Sequence, residues 1–159
     1  MKGVVRRSLC CFEQTNSSMP DVDNQPNRAR ASRPQSAANS KRILIVDDST
    51  NLRSVVREAL EIRGGYLCEE AANGIEALQI AKKIMPDLVV LDLAMPKLNG
   101  FEVAMVLRRE MPKVPVVILT MYAESLGRSL AESSGVKAVL DKSDGTSALI
   151  NCVQNLLGV

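Results

Sequence analysis

The chain of 159 residues contains no histidine and no tryptophan, and aromatic residues make up only 3% of it. Without histidine, metal sites with imidazole ligands and catalysis by a histidine base are excluded. The four cysteines, Cys10, Cys11, Cys68 and Cys152, lack the spacing of a metal-binding motif. Because aromatic rings are so few, aliphatic side chains must build most of the core.

Long hydrophobic segments are also missing from the chain. No apolar run approaches the roughly 20 residues of a membrane-spanning helix. Residues 8–12 are too short for the core of a secretory signal, which needs about 7–15 apolar residues. We therefore expect a cytoplasmic protein with no membrane association. In that reducing compartment, Cys68 and Cys152, which lie within apolar patterns, are expected to be buried free thiols.

The net charge of +2 is distributed unevenly along the chain. Residues 1–40 carry six Lys/Arg and three Asp/Glu, whereas residues 41–159 carry 14 and 15. The second part is therefore not basic, and a direct contact with nucleic acid is not expected there.

Residues 1–40 have the composition of a disordered N-terminal tail. From residue 15 to residue 40 the chain has almost no large apolar side chains, so it cannot bury enough surface to offset the entropy of ordering. It is either an unstructured leader or an upstream extension, with Met19 as an internal start. The alternative is a weak contact with an acidic partner through five arginines, Arg6, Arg7, Arg28, Arg30 and Arg33.

From residue 41 onward, short apolar runs alternate with helical patterns. The apolar runs predict strands over 42–46, 66–71, 88–91, 116–119 and 136–140. Helical spacing predicts helices over 50–63, 75–84, 100–110, 124–134 and 146–157. Glu69 and Glu70 place the second strand at an edge of the sheet. Five strand–helix units in series predict one α/β domain over residues 41–159, with a parallel sheet covered by helices on both faces.

Four of the predicted strands deliver a polar group at their carboxyl end. Asp47 and Asp48 come after the first strand and Asp92 after the third. Thr120 ends the fourth strand, and Lys142 comes after the fifth. In an open parallel α/β sheet, ligands bind at this edge. Three acids, a hydroxyl and a lysine there predict a site for a divalent cation and a phosphoryl group.

The three acids favour Mg²⁺, a hard cation that takes oxygen ligands. Asp92 stands alone on its strand, so it is the better candidate for a nucleophile that attacks phosphorus and forms an acyl phosphate. Asp47 and Asp48 would then hold the metal, while Lys142 and Thr120 would bind phosphoryl oxygens. Each residue alone has a plainer interpretation, because the acids and Thr120 could be helix caps or turn residues and Lys142 a solvated lysine.

Residues 41–159 resemble the receiver domain of two-component response regulators. The matching segments are 43–49, 92–96 with Gly100 downstream, 116–120 and 135–142. The resemblance implies a doubly wound, flavodoxin-like five-stranded sheet of order 2-1-3-4-5. It implies that Asp92 accepts a phosphoryl group from a phosphohistidine on a sensor histidine kinase or a phosphotransfer protein. It places Mg²⁺ on Asp48, Asp92 and the backbone carbonyl of Ala94, with Asp47 nearby.

Three positions depart from the pattern of that family. Val139 stands where an aromatic switch residue is common, so coupling from Thr120 to the outer surface would run through other groups. Ser143 replaces a common proline after the lysine, as in receivers of helix-turn-helix regulators, which the sequence also resembles. Met121 and Tyr122 follow the threonine, where the first position is often smaller. We expect Tyr122 to flank the phosphoryl site and limit the access of water.

The resemblance implies a single-domain response regulator, which is a phosphoacceptor rather than an enzyme. It would signal by a conformational switch to a separate effector protein, because no output module follows Leu157, and it allows a phosphorylation-dependent homodimer. One alternative is a receiver-like interaction module that works without phosphorylation. A phosphatase with an aspartate nucleophile would need a second acid where Ala94 stands. A dinucleotide-binding enzyme would need a glycine-rich turn in place of Asp47, Asp48 and Ser49.

Overall fold

The fold alternates strands and helices, and the computed structural model describes residues 40–121, 123 and 135–158. The strands are β1 (Arg42–Val46), β2 (Leu67–Ala71), β3 (Leu88–Leu91), β4 (Val116–Thr120) and β5 (Ala138–Asp141). The α-helices are α1 (Thr50–Gly64), α2 (Gly74–Ile84), α3 (Gly100–Glu110) and α4 (Gly145–Leu157), with a 3-10 turn (Lys142–Asp144) before α4. The helix predicted over 124–134 lies outside the described residues, as do residues 1–39 of the predicted tail.

The five strands form one parallel sheet in the order β2-β1-β3-β4-β5, which confirms the predicted topology. Val46 of β1 aligns with Leu91 of β3, and Thr120 of β4 aligns with Asp141 of β5. Because neighbouring strands are parallel and in register, the residues that follow them emerge at the same edge of the sheet. The prediction that the strand with Glu69 and Glu70 lies at an edge is confirmed.

Each face of the sheet builds its own aliphatic core, as expected for strands covered by helices on both sides. One core joins alternate strand residues to α2 and α3 and includes Leu44, Val46, Leu91, Ile118, Ala77, Ala81, Val103 and Leu107. The opposite core joins the remaining strand residues to α1 and α4 and includes Ile43, Ile45, Val90, Val117, Val56, Leu60, Leu149 and Val153. These cores hold the central strands rigidly, so the groups at the strand ends have fixed positions.

The largest boundary difference is at β5. The apolar run predicted a strand over 136–140, whereas β5 begins at Ala138 and ends at Asp141. Val136 precedes the strand but is buried in the core under α3, and the N–H of Lys137 donates to the Val116 carbonyl. The apolar character of Val136 therefore reflects burial before the strand begins.

The prediction of buried free thiols is confirmed for Cys68 and only in part for Cys152. Cys68 is buried in β2, whereas Cys152 in α4 is half-buried. Burial raises the pKa of the Cys68 thiol to about 12, so it packs as a small apolar residue. None of the helices in the described part of the chain combines the length and hydrophobicity of a membrane-spanning segment.

Candidate functional site

Three aspartates meet at the carboxyl edge of the sheet, where the sequence predicts them. One carboxylate oxygen from each of Asp47, Asp48 and Asp92 lies within 4.8 Å of the others. Asp47 and Asp92 are only 4% and 3% exposed, whereas Asp48 is exposed. The N–H of Asp92 donates to the Val46 carbonyl at 2.8 Å, which extends the pairing of β3 with β1 and holds the acids side by side.

Lys142 reaches into this cluster from the end of β5. Its Nζ lies 2.8 Å from Oδ2 of Asp47 and 3.1 Å from Oδ2 of Asp92, and its side chain is only 14% exposed. Burial alone would lower the pKa of Lys142, but the hydrogen bonds and charges of the two carboxylates outweigh it and raise the pKa above its ordinary value. Lys142 is therefore a charged group fixed between two acids and not a solvated side chain.

Helix capping does not explain the acid pair. The N-cap residue of α1 is Ser49, whose side chain accepts the N–H of Leu52. Asp47 instead accepts the N–H of Ser49 through Oδ1 at 2.8 Å, while its other oxygen faces Lys142. Asp48 is left exposed at the mouth of the cluster.

The remaining predicted site residues lie at the same edge. Thr120 is fully buried at the end of β4 and pairs in register with Asp141, the residue before Lys142. Ala94 is exposed two residues after Asp92. Tyr122, for which we predict a role in limiting water access, lies outside the described residues.

The loop that carries Asp92 packs closely on the first residue of α3. Oδ1 of Asp92 accepts the N–H of Leu93 at 2.8 Å, and the Leu93 carbonyl accepts the N–H of Gly100 at 3.1 Å. A Cβ at Gly100 would lie 2.0 Å from the carbonyl oxygen of Asp92. Only glycine permits this approach of backbone to backbone, so Gly100 fixes the loop on which Asp92 stands.

Arg53 is a site residue that the sequence reasoning missed. It lies in α1, is only 9% exposed, and its guanidinium donates to the carbonyl of Asp47 at 2.7 Å. The same group donates to the carboxylate of Glu70 at 3.0 Å and to Oγ1 of Thr50 at 3.2 Å. Arginine in an amphipathic helix is mostly exposed, so the sequence offers no signal that Arg53 hydrogen-bonds the backbone of the acid pair.

The charges of the cluster fit a divalent cation. The carboxylates of Asp47, Asp48 and Asp92 with the ammonium of Lys142 carry a formal charge of about −2 when all four are ionised. Mg²⁺ takes oxygen ligands and is typically held by one or two carboxylates plus waters and phosphate oxygens. The exposed Asp48 leaves one side of the cluster open for such ligands.

The sequence profile described as "Response regulator receiver domain" matches residues 43–154. The chain belongs to the response regulator receiver family. This family provides the phosphoacceptor domains of two-component systems, so the resemblance drawn from the sequence is confirmed. The matched residues run from β1 into α4 and include every predicted site residue.

Solved structures of receiver domains share the fold. The response regulator TrrA of Thermotoga maritima, solved in complex with Mg²⁺ and BeF, is 36% identical with a TM-score of 0.67. That similarity covers 74% of this chain and 99% of TrrA. The chemotaxis protein CheY4 of Vibrio cholerae is 30% identical with a TM-score of 0.69, covering 74% of this chain and 99% of CheY4.

Curated relatives are longer proteins. The virulence transcription regulator BvgA of Bordetella pertussis is 34% identical over 116 residues, which are 73% of this chain and 56% of BvgA. A protein-glutamate methylesterase/protein-glutamine glutaminase of Treponema denticola is 40% identical over 84 residues, which are 52% of this chain and 23% of the relative. The chain thus spans about a quarter to about half of these relatives, and their whole-protein activities do not transfer to it.

Proposed function

We propose that this receiver domain accepts a phosphoryl group on Asp92, with Mg²⁺ held at the acid cluster. The observation that carries the proposal is the ammonium of Lys142, which lies between the carboxylates of Asp47 and Asp92. A positive charge between two nearly buried carboxylates offsets their mutual repulsion. It also stands where negative charge develops during phosphoryl transfer.

Asp92 is the acid best placed to act as the nucleophile. It follows the central strand β3 and is only 3% exposed, and its Oδ1 is held by the N–H of Leu93. In the transfer step, a carboxylate oxygen of Asp92 bonds to phosphorus while the bond from phosphorus to the donor breaks, and the departing group takes the electron pair. The product is an acyl phosphate on Asp92.

The other residues of the cluster neutralise the charge of the phosphoryl group. Mg²⁺, when bound, would neutralise charge on the attacking and transferring oxygens, and its ligands would come from Asp47, Asp48, Asp92 and the carbonyl of Ala94. Lys142 would exchange one of its two carboxylate contacts for a phosphoryl oxygen. Thr120, at the end of β4, would donate its hydroxyl to another phosphoryl oxygen.

Phosphorylation would then change the surface near the ends of β4 and β5. A phosphoryl group adds roughly −1.5 to −2 charge and strong acceptor oxygens. Because Thr120 ends β4 and Lys142 directly follows the neighbouring strand β5, a shift toward the phosphoryl group would move both strand ends together and shift the population of surface conformations. We propose a sensor histidine kinase or phosphotransfer protein as the donor and a separate cytoplasmic effector as the receiver of this signal.

Treatment with acetyl phosphate, read by intact mass, tests the proposal. Wild type with Mg²⁺ should gain one phosphoryl adduct, and both removal of Mg²⁺ and the substitution Asp92→Asn should abolish it. Asp87→Asn is a matched control, because Asp87 pairs with Lys41 before β3 and takes no part in the cluster. If the wild-type protein gains no adduct although its circular dichroism spectrum shows that it is folded, the proposal is contradicted. An interaction module that works without phosphorylation is then favoured.

A further inference from the structure

The turn that carries Lys142 is organised by its neighbour, Asp141. Oδ1 of Asp141 accepts the N–H of Ser143 at 2.8 Å and the hydroxyl of Ser143 at 2.6 Å. In return, the N–H of Asp141 donates to Oδ2 of Asp144 at 3.2 Å. These reciprocal bonds form a capping box around the 3-10 turn, so the backbone of Lys142 is held on both sides.

Asp141 also lies beside the end of β4, because it aligns with Thr120 across the sheet. Hydrogen bonds from the hydroxyl and the N–H of Ser143 hold the pKa of Asp141 below its ordinary value. Asp141 is thus an ionised acceptor at the point where β5 passes into the turn that carries Lys142.

Ser143 stands where receiver domains commonly have proline. The contacts of Asp141 explain how the turn is restrained without that proline. A proline ring restrains the backbone but has no N–H to donate. Here the N–H and the hydroxyl of Ser143 both donate to Asp141. The restraint on the turn therefore comes from hydrogen bonds to Asp141.

We propose that Asp141 is a positioning residue for phosphoryl transfer, which holds the turn that carries Lys142 in place and so fixes the Lys142 ammonium at the acid cluster. The inference rests on the proposed function of Asp92. Asp141 does not touch the acid cluster itself; its effect passes through Lys142. Loss of Asp141 should let the turn move and displace Nζ of Lys142 from Asp47 and Asp92.

The initial rate of phosphorylation by acetyl phosphate measures this effect. Asp141→Ala should slow the reaction about tenfold, because a displacement of about 1 Å at a reacting centre can cost up to a hundredfold. Asp141→Asn keeps an acceptor oxygen for Ser143 and should retain most of the rate. Glu110→Ala is the control, because it removes an exposed carboxylate that pairs with Lys82 and Arg109 far from the cluster.

A double-mutant cycle separates positioning from a general loss of stability. If Asp141 acts through Lys142, then Asp141→Ala should slow the Lys142→Ala variant by less than about twofold, because the two changes remove one shared effect. An equal slowing in both backgrounds would contradict the proposal, as would a wild-type rate in Asp141→Ala.

Amide hydrogen exchange tests the same contacts without phosphorylation. The Ser143 amide should be protected in wild type and lose protection in Asp141→Ala, while amides of β1 and β3 keep theirs. An unchanged Ser143 amide would overturn the proposed restraint. A wild type that gains no phosphoryl adduct would contradict the function of Asp92, whereas the exchange result would still support or contradict the role of Asp141 in the turn. If Asp141→Ala does not fold, Asp141→Leu, which has a similar shape but no acceptor oxygen, takes its place in both measurements.

Discussion

The Nζ of Lys142 lies 2.8 Å from Oδ2 of Asp47, although β3 and β4 lie between β5 and β1, the strands that these two residues follow. The long lysine side chain spans the carboxyl edge of the sheet and also passes within 3.1 Å of Asp92. The two nearly buried acids would repel each other if they were left without a cation. The ammonium therefore stabilises the cluster and holds a positive charge where a phosphoryl group would arrive.

Replacing this lysine should destabilise the fold. Lys142→Met leaves Asp47 and Asp92 buried without a counter-charge, which should lower the free energy of unfolding by about 2–4 kcal/mol without Mg²⁺. Mg²⁺ should stabilise this variant more than wild type, because the cation takes over the missing charge. Urea unfolding with and without Mg²⁺ measures both effects.

An exposed ion pair provides the comparison for that experiment. Lys82 pairs with Glu110 at 2.9 Å on the surface, so Lys82→Met should change stability by about 0.5 kcal/mol or less. If Lys142→Met proved as stable as wild type without Mg²⁺, the lysine would not be needed to neutralise the acids.

Gly100 should tolerate no side chain. Gly100→Ala places a Cβ against the carbonyl of Asp92, so the loop or α3 must move, at a cost of about 1–3 kcal/mol. Because the loop carries Asp92, the proposed acceptor, phosphorylation by acetyl phosphate should also slow. Gly158→Ala is the control, because it isolates backbone strain from steric clash. The φ of 70° at Gly158 strains an alanine, but the new Cβ would meet nothing within 4 Å. A Gly100→Ala variant with wild-type stability and rate would contradict the tight packing.

The hydroxyl of Tyr66 is buried and has no hydrogen-bond partner among the described residues. The ring packs in the core between the sheet, α1 and α4. Tyr66→Phe removes the uncompensated polar group and should raise the free energy of unfolding by about 1 kcal/mol. Thermal unfolding measures the change. A decrease of similar size in the free energy of unfolding would mean that a buried water or another group hydrogen-bonds the hydroxyl.

Cys68 should be inert toward thiol reagents in the folded protein. Its pKa of about 12, raised by burial, leaves about one thiolate in 10⁴ molecules at pH 8, and the residue is only 4% exposed. Iodoacetamide labelling with peptide mapping should find Cys68 unmodified in buffer and modified in urea. Cys152, which is half-buried, should label faster, and rapid native labelling of Cys68 would show that β2 opens.

The parallel strands and the acid cluster were predictable because their physical signals are local, whereas the strand order came from the resemblance to receiver domains. Continuous apolar runs mark strands buried on both faces, and the next residues, Asp47, Asp92 and Lys142, must then emerge at one edge of a parallel sheet. In the structure, the ammonium of Lys142 lies within hydrogen-bond distance of both carboxylates. The same reasoning gave the wrong bounds for β5, because Val136 is apolar and buried but precedes the strand.

The supporting contacts were not predictable from the sequence. Arg53 is buried where the Asp47 carbonyl, just after β1, and the carboxylate of Glu70, in β2, accept its hydrogen bonds. Asp141 is an acid at the end of an apolar strand, and its role depends on Ser143 and Asp144 folding back on it. Periodicity carries no information on such side-chain partners, which become visible only when the chain is folded.

The identity of the phosphorylated carboxylate is the most direct test of this account. Borohydride reduction converts an aspartyl phosphate into homoserine, and peptide mass mapping after treatment with acetyl phosphate and Mg²⁺ then locates the modified residue. We predict homoserine at position 92 alone. Homoserine at Asp47 or Asp48, with Asp92 unmodified, would contradict the assignment of Asp92 as the phosphoacceptor.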